Sequence, residues 1–124
     1  MNKSRKSRAL LAALFLGVTG WPAAAFAEQM TWDVRSTYRH KVQIEFYSQD
    51  RNHAWPGGNR AYNLDDYDVH SYTLNCNSGE KICYGAWVTG NSKRYWGVGM
   101  NGRHHCDSCC YSCDGDTVAI RLNP

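Results

Sequence analysis

His104-His105-Cys106-Asp107-Ser108-Cys109-Cys110-Tyr111-Ser112-Cys113 holds four of the chain's six cysteines within eight residues, spaced C-x-x-C-C-x-x-C behind a histidine pair. The other two, Cys76 and Cys83, lie upstream in a stretch that reads as strands. A cluster this dense either ties the chain to itself through disulfides or holds a thiophilic metal. Which of these it does decides how so small a domain is stabilised.

The compartment bears on that choice. Met1 to Arg8 carries Lys3, Arg5, Lys6 and Arg8, Ala9 to Val18 is mostly apolar, and Ala25-Phe26-Ala27 follows. A basic start, a short apolar run and an A-x-A site describe a secretory signal peptide over 1–27. The apolar run falls short of the ~20 residues that span a bilayer. The remainder, 28–124, is expected to be one domain, exported to the periplasm or the extracellular space, with no membrane insertion. The chain as a whole has 14 basic and 11 acidic residues. The four basic residues of the leader leave the domain close to neutral, with no basic stripe for nucleic acid. An exported domain of this size with an even cysteine count is expected to be stapled by disulfides.

After Ala27 helical periodicity gives way to short alternating runs. Val42, Ile44 and Phe46 fall on one face of a strand, and Gln43, Glu45 and Tyr47 on the other. Met30 to Tyr38 is read as an edge strand. Val69 to Cys76 and Ile82 to Val88 read as a hairpin joined by a five-residue loop, Tyr95 to Met100 as a further strand, and Thr117 to Leu122 as the closing one. Ser48 to Asp68 is the longest irregular region, with a Pro-Gly turn after Trp55. Six or seven short strands with turns at this spacing predict an all-β fold, a small antiparallel sandwich or barrel.

Side-chain alternation narrows the pairing of Cys76, Cys83, Cys106, Cys109, Cys110 and Cys113. With Leu74 and Ile82 both inward, the hairpin register sets Cys76 opposite Ile82 and turns Cys83 to the outer face. Bonded cysteines bring their Cβ atoms within about 4.5 Å, so these two do not bond each other. Each is expected to reach into the 106–113 cluster, leaving two cluster cysteines to pair together. The alternative is a metal centre drawing on His104, His105, Cys106, Cys109, Cys110 and Cys113. The two C-x-x-C units overlap, however, whereas paired zinc knuckles have a spacer of ~12–20 residues. A thiol oxidoreductase is a further alternative, but low-pKa thiols usually sit at a helix N-terminus. For a small secreted hydrolase, no G-x-S-x-G or H-E-x-x-H occurs, and Asp65, Asp66, Asp68, Asp114 and Asp116 read as acidic turns, the first three without the order of a calcium loop. No catalytic residue and no cofactor is assigned.

The functional expectation is a non-catalytic binding role, with an unknown protein or a cell-envelope glycan as ligand. With Ile82, Tyr84 and Ala86 inward, Trp87 and Tyr95 are predicted to stand on the outer face above Gly85, Gly97 and Gly99, as a platform for a sugar or peptide. Aromatic cover of weak strand glycines, or a bed for the cluster loop held by Cys83, is the structural reading of the same residues. The disulfide reading has a direct test. The native protein should weigh six hydrogens less than the reduced one, and reduction should remove ~2–4 kcal/mol per bond. Six alkylatable thiols with a bound zinc would reverse it.

Overall fold

Residues 26–124 are described by a computed structural model. Apart from Phe26 and Ala27, the expected signal peptide lies outside them. Among the described residues nine strands form two sheets: β1 (Ala27–Ser36), β2 (Val42–Ser48), β3 (Ala54–Trp55), β4 (Tyr62–Leu64), β5 (Val69–Asn77), β6 (Lys81–Val88), β7 (Asn91–Gly97), β8 (Cys110–Ser112) and β9 (Thr117–Leu122). The first sheet has the order β5-β1-β9. The second is built on the β2–β6 pair, with β3 and β4 sharing the outer side of β2, and β7 and β8 sharing that of β6. The fold is all-β and largely antiparallel, a small sandwich. One pairing departs from this, since β9 runs parallel to β1.

Period-two alternation places the core between the sheets. Met30, Trp32 and Val34 of β1 and Leu74 and Cys76 of β5 face Val42, Ile44 and Phe46 of β2 and Ile82 and Ala86 of β6. Trp32 is fully buried, with Phe46 at 4.9 Å and the edge of Tyr111 at 5.4 Å between ring centroids. Its Nε1–H has no acceptor among the described residues, a cost of ~1–3 kcal/mol comparable with what burying one large side chain contributes. Among the described residues no helix is long and apolar enough to cross a membrane.

Several expectations about strands are corrected. The Met30–Tyr38 strand begins at Ala27, ends at Ser36 and is central, because both β5 and β9 pair with it. The Tyr95–Met100 strand is instead Asn91–Gly97, entered by a tight turn at Thr89-Gly90 and ended where Gly97 takes φ 64°. The irregular region 48–68 contains β3 and β4. The largest correction concerns β5 and β6, which do not pair. β5 pairs with β1 and β6 with β2, so residues 77–81 carry the chain from one sheet to the other. Cross-strand partners 74/84 and 76/82 therefore do not exist, although Leu74, Cys76 and Ile82 share one core and Cys83 faces the opposite side of its own sheet.

That orientation determines the disulfides. Inward Cys76 bonds Cys113, outward Cys83 bonds Cys110, and Cys106 bonds Cys109. No free cysteine remains, which points to an oxidising compartment. The sheet crossing is also held by polar contacts. Glu80 is buried and receives Arg51 Nε at 2.6 Å and Nη2 at 3.0 Å, the Ser48 hydroxyl, and the Asn77 N–H at 2.9 Å. Burial by itself raises the Glu80 carboxyl, but these donors together outweigh it and hold it down at about 2.

A folded-state value below the unfolded one stabilises the protein above the unfolded pKa, and the benefit fades as pH falls toward the folded value. The unfolding free energy read from urea titrations should therefore drop as pH goes from about 4.5 to about 2, by an amount on the order of 2–3 kcal/mol for this group. Glu80→Gln should lose stability at pH 7 and flatten that acid limb. An unchanged limb in the variant would show that Glu80 carries no such linkage.

Candidate functional site

The outward residues of the second sheet are Gln43, Glu45 and Tyr47 on β2, Cys83, Gly85 and Trp87 on β6, and Tyr95 on β7, with Gly85 facing Gly97 and Trp87 facing Tyr95 across the strands. The chain after β7 folds back over part of this face. Gly97 and Gly99 (φ 64° and 67°) have the left-handed conformation that lets it reverse. Val98 N–H then donates to Tyr84 O at 3.0 Å, and His104 N–H to Val98 O at 3.0 Å. Gly85 is the seat of this loop: a Cβ there would collide with the carbonyl of Gly99 and the ring of Tyr47. Farther along, the Cys83–Cys110 bond and the β6–β8 pairing fasten the cluster to the same face.

This overturns the open aromatic platform. Trp87 is only 4% exposed, and its Nε1–H donates to Gln43 Oε1 at 3.2 Å. Tyr95 is 40% exposed, but His104 is stacked on its ring at 3.6 Å and 4°. The aromatic residues and glycines form the bed of the cluster loop. The candidate metal set is dispersed in the same way. All four cluster cysteines are in disulfides, His104 is used in stacking, and exposed His105 meets Asp107 at 3.0 Å. Among the described residues, no group of three or more His, Cys, Asp or Glu side chains is placed to hold a metal ion. The acidic residues serve turns. Asp66 accepts from Asp68 N–H and lies 2.7 Å from His70 Nε2, and Asp114 accepts from Asp116 N–H.

Where the loop leaves the face uncovered, β2 floors a cleft of about 1180 Å³, walled by residues 51–63 and by Met100 and Asn101. Gln43, Glu45, Asn63, Arg60 and Asn101 are among the polar residues that line it, and the buried Trp87 borders it. Glu45 is half-buried. Burial raises its carboxyl pKa, and the hydrogen bond from the Tyr47 hydroxyl, 3.3 Å away, opposes the rise only in part. Tyr47 is raised as well, first by burial and then by the Glu45 charge, so it stays a neutral phenol. Its oxygen accepts from Asn101 N–H at 2.9 Å, which leaves the one phenolic proton for Glu45 or for Gly99 O at 3.4 Å. Glu45, which lines the cleft, was not singled out from sequence. The β2 alternation does place Gln43, Glu45 and Tyr47 on one face, but which loops wall that face is a matter of tertiary structure.

No protein-family model and no curated protein matches this chain. Among solved structures it is similar to part of a leucine-rich repeat protein from Bacteroides thetaiotaomicron, at 10% identity and a TM-score of 0.39, over 78% of this chain and 12% of that one. At that level the likeness carries no argument about fold or function.

The seating of the loop can be tested directly. Gly85→Ala should force the 97–104 reversal off the sheet and cost ~1–3 kcal/mol or more, the scale of overpacking. Denaturant unfolding of the variant measures this, and a midpoint matching the parent would mean that the loop does not rest on Gly85.

Proposed function

We propose that this is an exported, disulfide-stapled β module that binds a cell-envelope glycan in the cleft over β2, without catalysing its cleavage. The observation that carries this reading is the composition of that cleft. It is open and polar, lined by planar amides, a guanidinium and a carboxylate. An ionised carboxylate accepts through two oxygens and an amide both donates and accepts, as vicinal sugar hydroxyls require. Glycoside hydrolysis canonically uses two carboxylates flanking the bond, and among the described residues Glu45 is the single acidic one in the lining. Of the expected ligand residues, Trp87 is packed beneath the cleft with its N–H on Gln43, and Tyr95 supports the loop. Three disulfides suit a domain working outside the cytoplasm, and the leader-like 1–27 segment supports export to the periplasm or beyond.

Calorimetric titration of solubilised envelope oligosaccharides should show saturable binding. Glu45→Gln should weaken it ~10-fold or more, since a hydrogen bond to a charged group is worth about 1.5–3 kcal/mol, with thermal stability unchanged. Because the Glu45 carboxyl titrates above the usual range, affinity should fall as pH drops through a value above 4.5, and Glu45→Gln should lack that pH dependence. Equal affinity of parent and variant would remove the cleft as the site, and no binding across the glycan set would remove the reading.

A further inference from the structure

The three disulfides differ in what they hold. Cys76–Cys113 ties β5 of the first sheet to the cluster, with both residues buried, and Cys83–Cys110 staples β6 to β8 at paired strand positions. Cys106–Cys109 spans a sequence separation of 3 and lies wholly in the loop between β7 and β8. In the chain-entropy picture it restricts the unfolded chain least, and no strand pairing runs through it. The loop is fixed at both ends without it. His104 N–H donates to Val98 O at 3.0 Å, the His104 ring stacks on Tyr95, and Cys110 pairs with Cys83. Opening Cys106–Cys109 therefore leaves its two sulfurs close together, so the bond can form again.

Its two ends are unequally exposed. Cys109 is 4% exposed, whereas Cys106 is half-buried and lines a pocket of about 380 Å³. Lys81, Arg103, His104 and His105 line the same pocket. Lys81 stands two residues before outward Cys83 and so shares its face. Among the described residues Asp107 is the one acid in the lining, and it lies 3.0 Å from His105 Nε2. Neither Lys81 nor Arg103 is in a salt bridge among those residues. An accessible sulfur beside cationic side chains is the setting in which thiolates are stabilised and attack.

We propose that Cys106–Cys109 is a redox-active disulfide and that this pocket is its exchange site, taking a small thiol that carries carboxylate groups. The incoming thiolate attacks Cys106 Sγ. A bond forms between those two sulfurs, the Cys106–Cys109 bond breaks, and its electron pair leaves on Cys109 Sγ, which takes a proton from water. A second thiolate attacks the sulfur of the bound molecule and releases it as a symmetrical disulfide. Cys106 is left as a thiolate with the Ser108 hydroxyl 3.9 Å away. Two small thiols are thus oxidised and one protein disulfide is reduced, and the reverse sequence restores the bond. Access directs the first attack to Cys106, and the free cations draw the carboxylates of the thiol. Cys110 borders the same pocket, but its bond to Cys83 joins paired strands and is costlier to open. This activity is independent of the glycan cleft, which lies over β2.

Glutathione is the probe. The folded, oxidised protein is equilibrated at graded ratios of reduced to oxidised glutathione, quenched by alkylation and mapped by mass spectrometry. Cys106 and Cys109 should become alkylated together under conditions ~10-fold or more less reducing than those that open Cys76–Cys113 or Cys83–Cys110. Cys109→Ser should accumulate one glutathione adduct, on Cys106. Arg103→Gln should slow exchange with glutathione ~5-fold, the scale of one unit charge near contact in water, and leave the rate with uncharged 2-mercaptoethanol unchanged. Opening of all three bonds at one ratio would overturn the proposal. An Arg103→Gln variant that reacts with both thiols at the parent's rates would remove the pocket as the site.

Discussion

The crossing at 77–81 is the constraint on which the other parts of the structure depend. A chain that leaves one sheet and enters the opposite one must turn its polar backbone through a region bordered by core, and every such group needs a partner. Glu80 supplies several at once. Its carboxylate gathers Arg51, Ser48 and Asn77 N–H, while its carbonyl accepts from Cys113 N–H at 2.8 Å. On either side of it, Gly79 N–H donates to Cys113 O, Lys81 O accepts from Gln49 N–H, and Lys81 N–H donates to Asp50. The crossing is thus tied both to the 48–53 loop that walls the cleft and to the cluster segment. The Cys76–Cys113 bond, with a sequence separation of 37, closes the longest of the three disulfide loops, and in the chain-entropy picture such a loop contributes more than the short Cys106–Cys109 ring.

The outer face of the second sheet is divided between a packed half and an open cleft. Near Gly85 it is covered by backbone, and the aromatic side chains there are used in packing: Trp87 against Gln43, Tyr95 against His104. Past Tyr47 the cover stops, and the same strand β2 presents Gln43 and Glu45 to an open cleft. Tyr47 stands at the boundary. Its hydroxyl oxygen takes the Asn101 N–H from the loop and sits beside the Glu45 carboxylate, so the position of the loop and the environment of the acid are linked through one phenol. A half-buried carboxylate with a raised pKa beside a neutral hydroxyl is a hydrogen-bonding pair.

The disulfide pairing illustrates how far alternation reaches. Leu74 and Cys76 share a face because they are two residues apart, and Ile82 and Cys83 do not because they are one apart. That parity is local, so it holds whether or not β5 and β6 pair. The hairpin assumed from sequence is absent, yet Cys76 still points to the core and Cys83 away from it, and the two reach different cysteines of the cluster. The outer-face placement of Trp87 and Tyr95 was legible for the same reason. Their exposure was not, because exposure depends on what the 97–104 segment covers, and the glycines that seemed to leave the floor bare are the ones that admit it.

By itself, then, the sequence determined the all-β class, the inward and outward set of each long strand, and a cysteine framework in place of a thiolate cluster. Each of these follows from period-two geometry or from composition, which act over a few residues. Tertiary structure alone decided that β1 is central, that β9 runs parallel to it, that β5 and β6 belong to opposite sheets, and that Glu45 rather than Tyr95 faces a cleft. These depend on contacts between residues distant in sequence: β1 with β9 across the whole domain, Arg51 with Glu80, Gly99 with Gly85. The free energy of such contacts resides in how the two sheets fit against each other, and no local pattern in the chain encodes that fit.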